Sequence, residues 1–118
     1  MPQKTTKSVT IYHNPKCTTS CNVLAMIEES GAEANVVGYL KAGWTKPQLK
    51  QLFAAAGLTA REAMRKRAAE DLAISEKATD AQIIDAMVEH PVLVERPFVV
   101  TPKGTRLARP KEKVREIL

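Results

Sequence analysis

Val9-Thr10-Ile11-Tyr12-His13-Asn14-Pro15-Lys16-Cys17-Thr18-Thr19-Ser20-Cys21 passes from a β-prone segment through a turn into residues that suit the start of a helix. Val9 to Tyr12 are β-branched or aromatic and precede Asn14-Pro15, a turn signal, so they read as a buried strand followed by a loop. From Thr18 or Thr19 onward, Val23, Leu24, Met26 and Ile27 recur at helical spacing, and Gly31 offers the left-handed position that commonly stops a helix. The result is a β-α unit whose connection carries Cys17.

Asn35 to Leu40 reads as a second strand that completes a βαβ unit with a right-handed crossover. Thr45 with Gln48 forms a capping box opening a helix that Gly57 closes. Two more boxes follow. Thr59 with Glu62 opens a basic helix containing Arg61, Arg65, Lys66 and Arg67, and Thr79 with Gln82 opens a helix carrying Ile83, Ile84, Met87 and Val88, which His90-Pro91 ends. Phe98 to Thr101 and Thr105 to Ala108, separated by Pro102-Lys103-Gly104, read as an antiparallel hairpin. Pro110 is placed to begin a last helix. The order βαβ, helices, ββα specifies an α/β fold, a mixed β-sheet covered by helices.

A length of 118 residues with 44% hydrophobic content suits one compact domain over residues 1–118. With two phenylalanines and one tryptophan, the core must rest mainly on aliphatic side chains. The start, Met1 to Lys7, is polar and basic, and no apolar run approaches the roughly 18 residues of a membrane span. A cytoplasmic protein without a membrane partner is expected. The net charge of +5 suits any anionic partner and does not choose among them.

Cys17 and Cys21 make a poor structural staple, because closing so short a loop removes little unfolded-state entropy. Beyond them only His13 and His90 suggest metal ligands, fewer than the roughly four a zinc site needs, so no metal is expected. Reactivity is the remaining reason for the thiols. Cys17 falls at or near a helix N-terminus, where free N–H groups and the dipole stabilise a thiolate and also hold an anion. His13 and Lys16 are placed to add to that stabilisation. Position alone leaves a second reading, in which Cys17 is a small buried apolar residue and Thr18, Thr19 and Ser20 merely cap the helix.

The loop His13-Asn14-Pro15-Lys16-Cys17-Thr18-Thr19-Ser20 resembles the active-site loop of the glutaredoxin-coupled bacterial arsenate reductases. The resemblance extends over nearly the whole chain, through Ala63-Met64-Arg65-Lys66, His90-Pro91-Val92-Leu93-Val94-Glu95-Arg96-Pro97, Val99-Val100-Thr101-Pro102 and Gly104-Thr105-Arg106-Leu107-Ala108-Arg109-Pro110. It implies a thioredoxin-like fold with Cys17 as nucleophile and His13 and Ser20 beside it. It further implies that Arg65, Arg96 and Arg109 converge on the substrate oxyanion from the middle helix, the strand approach and the hairpin end, and that the Arg96-Pro97 bond is cis. Arginine suits the task, since its planar fork donates paired hydrogen bonds to tetrahedral oxyanions and stays charged.

The implied reaction is reduction of arsenate to arsenite in the cytoplasm by a monomer. Glutathione is the co-substrate and glutaredoxin the partner, with no tightly bound cofactor and no nucleic acid. Cys21 stands where the family has an arginine, and Thr18 where it commonly has glycine. Cys21 is then either a resolving thiol, since i and i+4 on a helix place Cα atoms about 6 Å apart, or a first-turn residue packing inward.

Two other classes fit less well. A redox-sensing transcription regulator that binds RNA polymerase shares the fold but spaces its cysteines C-x-x-C, whereas Cys17 and Cys21 are C-x-x-x-C, and it has no need of three converging arginines. A general thiol-disulfide exchanger would use Cys17 and Cys21 as its pair.

Overall fold

A computed structural model describes residues 8–118; the polar start at residues 1–7 lies outside the described residues. The elements are β1 (Ser8–Tyr12), α1 (Thr18–Glu29), β2 (Glu33–Val37), α2 (Tyr39–Ala42), α3 (Lys46–Ala56), α4 (Lys66–Asp71), α5 (Asp80–Glu89), a 3-10 turn (Pro91–Leu93), β3 (Phe98–Thr101), β4 (Gly104–Leu107) and a closing 3-10 segment (Lys111–Glu116). The sheet runs β2-β1-β3-β4, with β1 and β2 parallel and the other pairs antiparallel. This is the expected mixed, thioredoxin-like arrangement.

Strand alternation builds two cores, one on each face of the sheet. Val9, Ile11 and Val99 point to one face, where they meet Val23 and Ile27 of α1 and Val114 and Ile117 near the chain's end. Phe98 points to the other face and packs with α3 and α5, its ring 5.8 Å from that of Phe53. Offset aromatic pairs of this kind add about 0.5–1.5 kcal/mol beyond burial. The α3 and α5 boundaries follow their local chemistry: both capping boxes form in full, and Gly57 at φ 71° ends α3 in the left-handed conformation. No helix among the described residues is long and apolar enough to cross a membrane.

Four boundaries depart from the sequence reading. The second strand lies at Glu33–Val37 instead of 35–40, because its parallel register with β1 pairs Ser8 with Glu33 and Tyr12 with Val37. Its inner edge pairs with β1 along all five residues even though most of its side chains are exposed. Tyr39, expected in that strand, opens α2 and is buried. The last strand begins one residue early, since Gly104 pairs with Thr101. After Pro110 the chain forms a 3-10 segment, not an α-helix.

The fourth departure bears on the site. Thr59 and Glu62 do cap each other, yet the helix they open stops after one turn. Met64 forms a bridge with Val94, Arg65 N–H donates to Leu93 O at 2.8 Å, and Glu95 N–H donates to Ala63 O at 2.7 Å. These long-range partners replace the next helical hydrogen bonds. Arg65 therefore sits in extended backbone (φ −72°, ψ 118°) immediately before α4, not inside a basic helix.

Candidate active site

The loop after β1 is tied to the first turn of α1 from several sides. His13 N–H donates to Val37 O at 2.8 Å, which carries the β1–β2 pairing past the strand end. Asn14 organises the turn: its side-chain oxygen accepts from Lys16 N–H at 2.9 Å and its carbonyl from Cys17 N–H at 3.0 Å. Such an Asx turn lets a short loop satisfy its own backbone. Ser20, fully buried on α1, accepts from Asn14 N–H at 3.1 Å and shares a 2.6 Å hydrogen bond with His13 Nδ1, the imidazole tautomer deciding which atom donates.

Cys17 occupies the N-cap of α1 in extended backbone (φ −98°, ψ 118°). A sulfur there faces N–H groups that no earlier carbonyl can reach. Burial pushes the thiol upward, but the Ser20 N–H, the Arg96 guanidinium and the Thr19 N–H outweigh it, so Cys17 ionises below its ordinary value. His13 and Lys16 were expected to help. Neither is among the groups that lower the thiol, and burial pushes His13 itself downward, so its imidazole is neutral near pH 7. His13 acts on the loop through Ser20 instead of through charge.

Arg96 lies near enough to Cys17 for its guanidinium to favour the thiolate. Its side chain is largely buried, and the peptide bond to Pro97 that follows it is cis, as the resemblance implied; Arg109-Pro110 is cis as well. Arg109 donates from Nη1 to the Arg96 carbonyl at 3.2 Å and borders an open concavity with Thr19 of the first α1 turn. Arg65 is held to the same segment by its hydrogen bond to Leu93. Cys21 is exposed, with its thiol donating to Pro15 O at 3.4 Å, so the inward-packing reading of that residue is corrected.

Two residues with no expected role are part of this corner. Glu95 receives Arg96 Nη1 on one oxygen at 2.9 Å and lies 3.9 Å from Arg109 Nε with the other, so one carboxylate steadies two of the three arginines. Its place next to Arg96 in the chain was the available signal. Tyr39 is 1% exposed, and the charges acting on its hydroxyl include those of Arg96, Cys17 and Arg65. Nothing in the local pattern marked it, because an aromatic residue in an apolar run reads as strand.

Relatives carry the same architecture. An arsenate reductase of Synechocystis sp. is 56% identical over 117 residues, 97% of this chain and 81% of the relative. An arsenate reductase of Escherichia coli strain K12 is 48% identical over 94% of this chain and 81% of its own length. A solved structure of an arsenate reductase from Vibrio cholerae superposes with a TM-score of 0.87 at 39% identity, covering 96% of this chain and 99% of that one. The model of the ArsC family matches residues 12–117, from the end of β1 through the closing 3-10 segment, and with identities at this level the chain belongs to the ArsC family.

Proposed function

We propose that this chain reduces arsenate to arsenite, with Cys17 as nucleophile, Arg65, Arg96 and Arg109 gathering the oxyanion, and glutathione and glutaredoxin supplying reducing equivalents. The observation that carries the reading is the Cys17 sulfur at the start of α1, below its ordinary pKa, with the Arg96 guanidinium acting on it. One feature then serves both reactants, since N–H groups and guanidinium that stabilise a thiolate also attract an oxyanion. Relatives described as arsenate reductases, at 48% identity and above, supply the substrate.

In the first step the Cys17 thiolate forms a bond to arsenic, and one arsenic oxygen leaves as water after taking up a proton. Arginines around the reacting centre offset the charge that builds on the remaining oxygens; single donors of this kind are worth on the order of 3 kcal/mol. Reducing As(V) to As(III) requires two electrons. The Cys17 sulfur and the glutathione thiol supply them and end as a mixed disulfide, which glutaredoxin returns to the thiol. His13 and Ser20 hold the loop in the geometry that presents the sulfur. A glutathione-dependent cycle belongs in a reducing cytoplasm, and all the named groups lie on one chain, so a monomer suffices.

Arsenate-dependent NADPH oxidation, coupled through glutathione, glutaredoxin and glutathione reductase, tests the reading. The parent protein turns over and Cys17→Ser does not. Equal NADPH consumption with and without arsenate overturns it.

A further inference from the structure

Two buried side-chain polar atoms among the described residues have no hydrogen-bond partner, Tyr39 Oη and Arg96 Nε. A buried donor left unmade is costly, and phenylalanine at position 39 would avoid that cost. Such exceptions call for a ligand or a function. The two residues belong to one end of the sheet: Tyr12 pairs with Val37 on one side and with Phe98 on the other, so Tyr39 follows β2 and Arg96 precedes β3 where the Cys17 loop leaves β1.

The chain path explains how Tyr39 arrives there. Val37 pairs with Tyr12 at the carboxyl end of the parallel strands, Gly38 turns the chain, and Tyr39 emerges at the same end of the sheet as the Cys17 loop. The side chain of Asn14, the organiser of that loop, approaches the phenol without reaching hydrogen-bond geometry. Packing fixes the ring. Trp44 stacks on Tyr39 with centroids 5.1 Å apart, and is itself held by a 3.3 Å hydrogen bond to Pro91 O and by Tyr12 at 5.0 Å. The hydroxyl is therefore preorganised, dry and unpaired.

We propose that the Tyr39 hydroxyl is a further substrate-binding group, a neutral donor that hydrogen-bonds one oxygen of the tetrahedral oxyanion while Arg96 Nε serves the same anion. The inference rests on the arsenate reading of the Cys17 site and adds a residue to it. Burial pushes the phenol above its ordinary pKa, so it remains a donor throughout the working range. It differs in kind from the arginines: it directs an oxygen lone pair without adding charge. Its contribution should therefore persist at ionic strengths that weaken long-range attraction.

Tyr39→Phe removes one oxygen and keeps the ring against Trp44. In the glutaredoxin-coupled assay the variant should lose about tenfold or more in kcat/KM for arsenate, the scale expected for a hydrogen bond to a charged ligand. Its thermal midpoint should match or exceed the parent's, since an unpaired buried hydroxyl has gone. A second readout avoids turnover. Trp44 is the sole tryptophan, so its emission should report arsenate binding to Cys17→Ser protein, with weaker binding in Cys17→Ser, Tyr39→Phe. If kcat/KM changes by less than twofold, or falls together with the thermal midpoint, Tyr39 is a packing residue and the proposal is wrong. Absence of arsenate turnover in the parent is a separate result, which overturns the functional reading and this proposal with it.

Discussion

Ser20→Ala removes a single buried oxygen and should reveal how the Cys17 loop is fixed. That oxygen accepts from Asn14 N–H at 3.1 Å and is hydrogen-bonded to His13 Nδ1 at 2.6 Å, at a residue with no exposed surface. Both partners are buried, so water does not readily replace it. Leaving a buried polar group unpaired costs about 1–3 kcal/mol, and two such groups give about 2–6 kcal/mol. Alanine recovers up to about 0.5 kcal/mol as the better helix former. The expected loss is at least about 1.5 kcal/mol, an appreciable share of the roughly 5–15 kcal/mol available to a small domain. Urea denaturation should show a lower midpoint at unchanged m-value, and a thermal midpoint lower by on the order of 10 °C. The Ser20 and Thr19 N–H groups that lower the Cys17 pKa belong to the backbone and survive the substitution. Alkylation of Cys17, corrected for folded fraction, should therefore keep its pH dependence. In a cycle with His13→Ala, the two substitutions should couple by at least about 0.5 kcal/mol, because they remove the same hydrogen bond. A stability loss under about 0.5 kcal/mol would refute the account of the loop, and a Cys17 titration moved to ordinary thiol values would refute the account of its activation.

Iodoacetamide alkylation of the parent should titrate Cys17 below the ordinary thiol range, and Arg96→Gln should move that titration upward, since burial would then meet less opposition; an unmoved profile excludes Arg96 as a cause. Arg65→Ala, Arg96→Ala and Arg109→Ala should each lower arsenate kcat/KM by at least about tenfold, whereas exposed Arg67→Ala should stay within twofold, as steady-state kinetics will show. Arg61 is a poorer control, because its guanidinium donates to Ser75 O and Ala78 O at 3.3 and 2.9 Å and its loss should lower stability while sparing turnover. Cys21→Ser should retain most glutaredoxin-coupled activity, because Cys21 points outward and donates to Pro15 O; inactivity equal to that of Cys17→Ser, with thioredoxin supporting the parent, would identify it as the resolving thiol.

The parts legible in the sequence were those decided within a few residues. The β1–loop–α1 unit, both full capping boxes and the hairpin follow from alternation, helical spacing and turn chemistry, each a short-range signal. The failures share a long-range cause. An edge strand with mostly exposed side chains carries no apolar signature, and its position is set by β1 across the sheet. The Thr59 box is locally sound, yet Val94 and Leu93 capture the following residues, and Arg65 ends in extended backbone because of partners roughly thirty positions away. His13 was read as a charge because burial is invisible in a sequence; once buried it is neutral. Cys21 was left between a resolving thiol and an inward-packing residue because spacing does not show which way a first-turn side chain faces, and Glu95 and Tyr39 gained no role because their meaning lies in their closeness to Arg96.

An N-cap is usually an oxygen, from serine, threonine, aspartate or asparagine, that accepts from the free N–H groups of the first turn. In α1 that position belongs to Cys17, and the first turn has no acidic residue to oppose the dipole. A neutral thiol is a weak acceptor, whereas a thiolate accepts strongly, so ionising Cys17 also completes the helix start. Linkage then gives the sign. Because the folded-state pKa lies below the unfolded one, the stabilisation is fully present above the ordinary thiol range and is lost as pH falls through the lowered value. In the proposed reaction, sulfur bonded to arsenic would give up most of its negative charge, and the Ser20 and Thr19 N–H groups would lose their acceptor as an oxyanion lies beside them. Donors that favour the thiolate would thereby be free to take up charge developing on the substrate. Reactivity at Cys17 thus depends on a helix left without an ordinary cap, and Cys17→Ser should retain the cap while losing the chemistry.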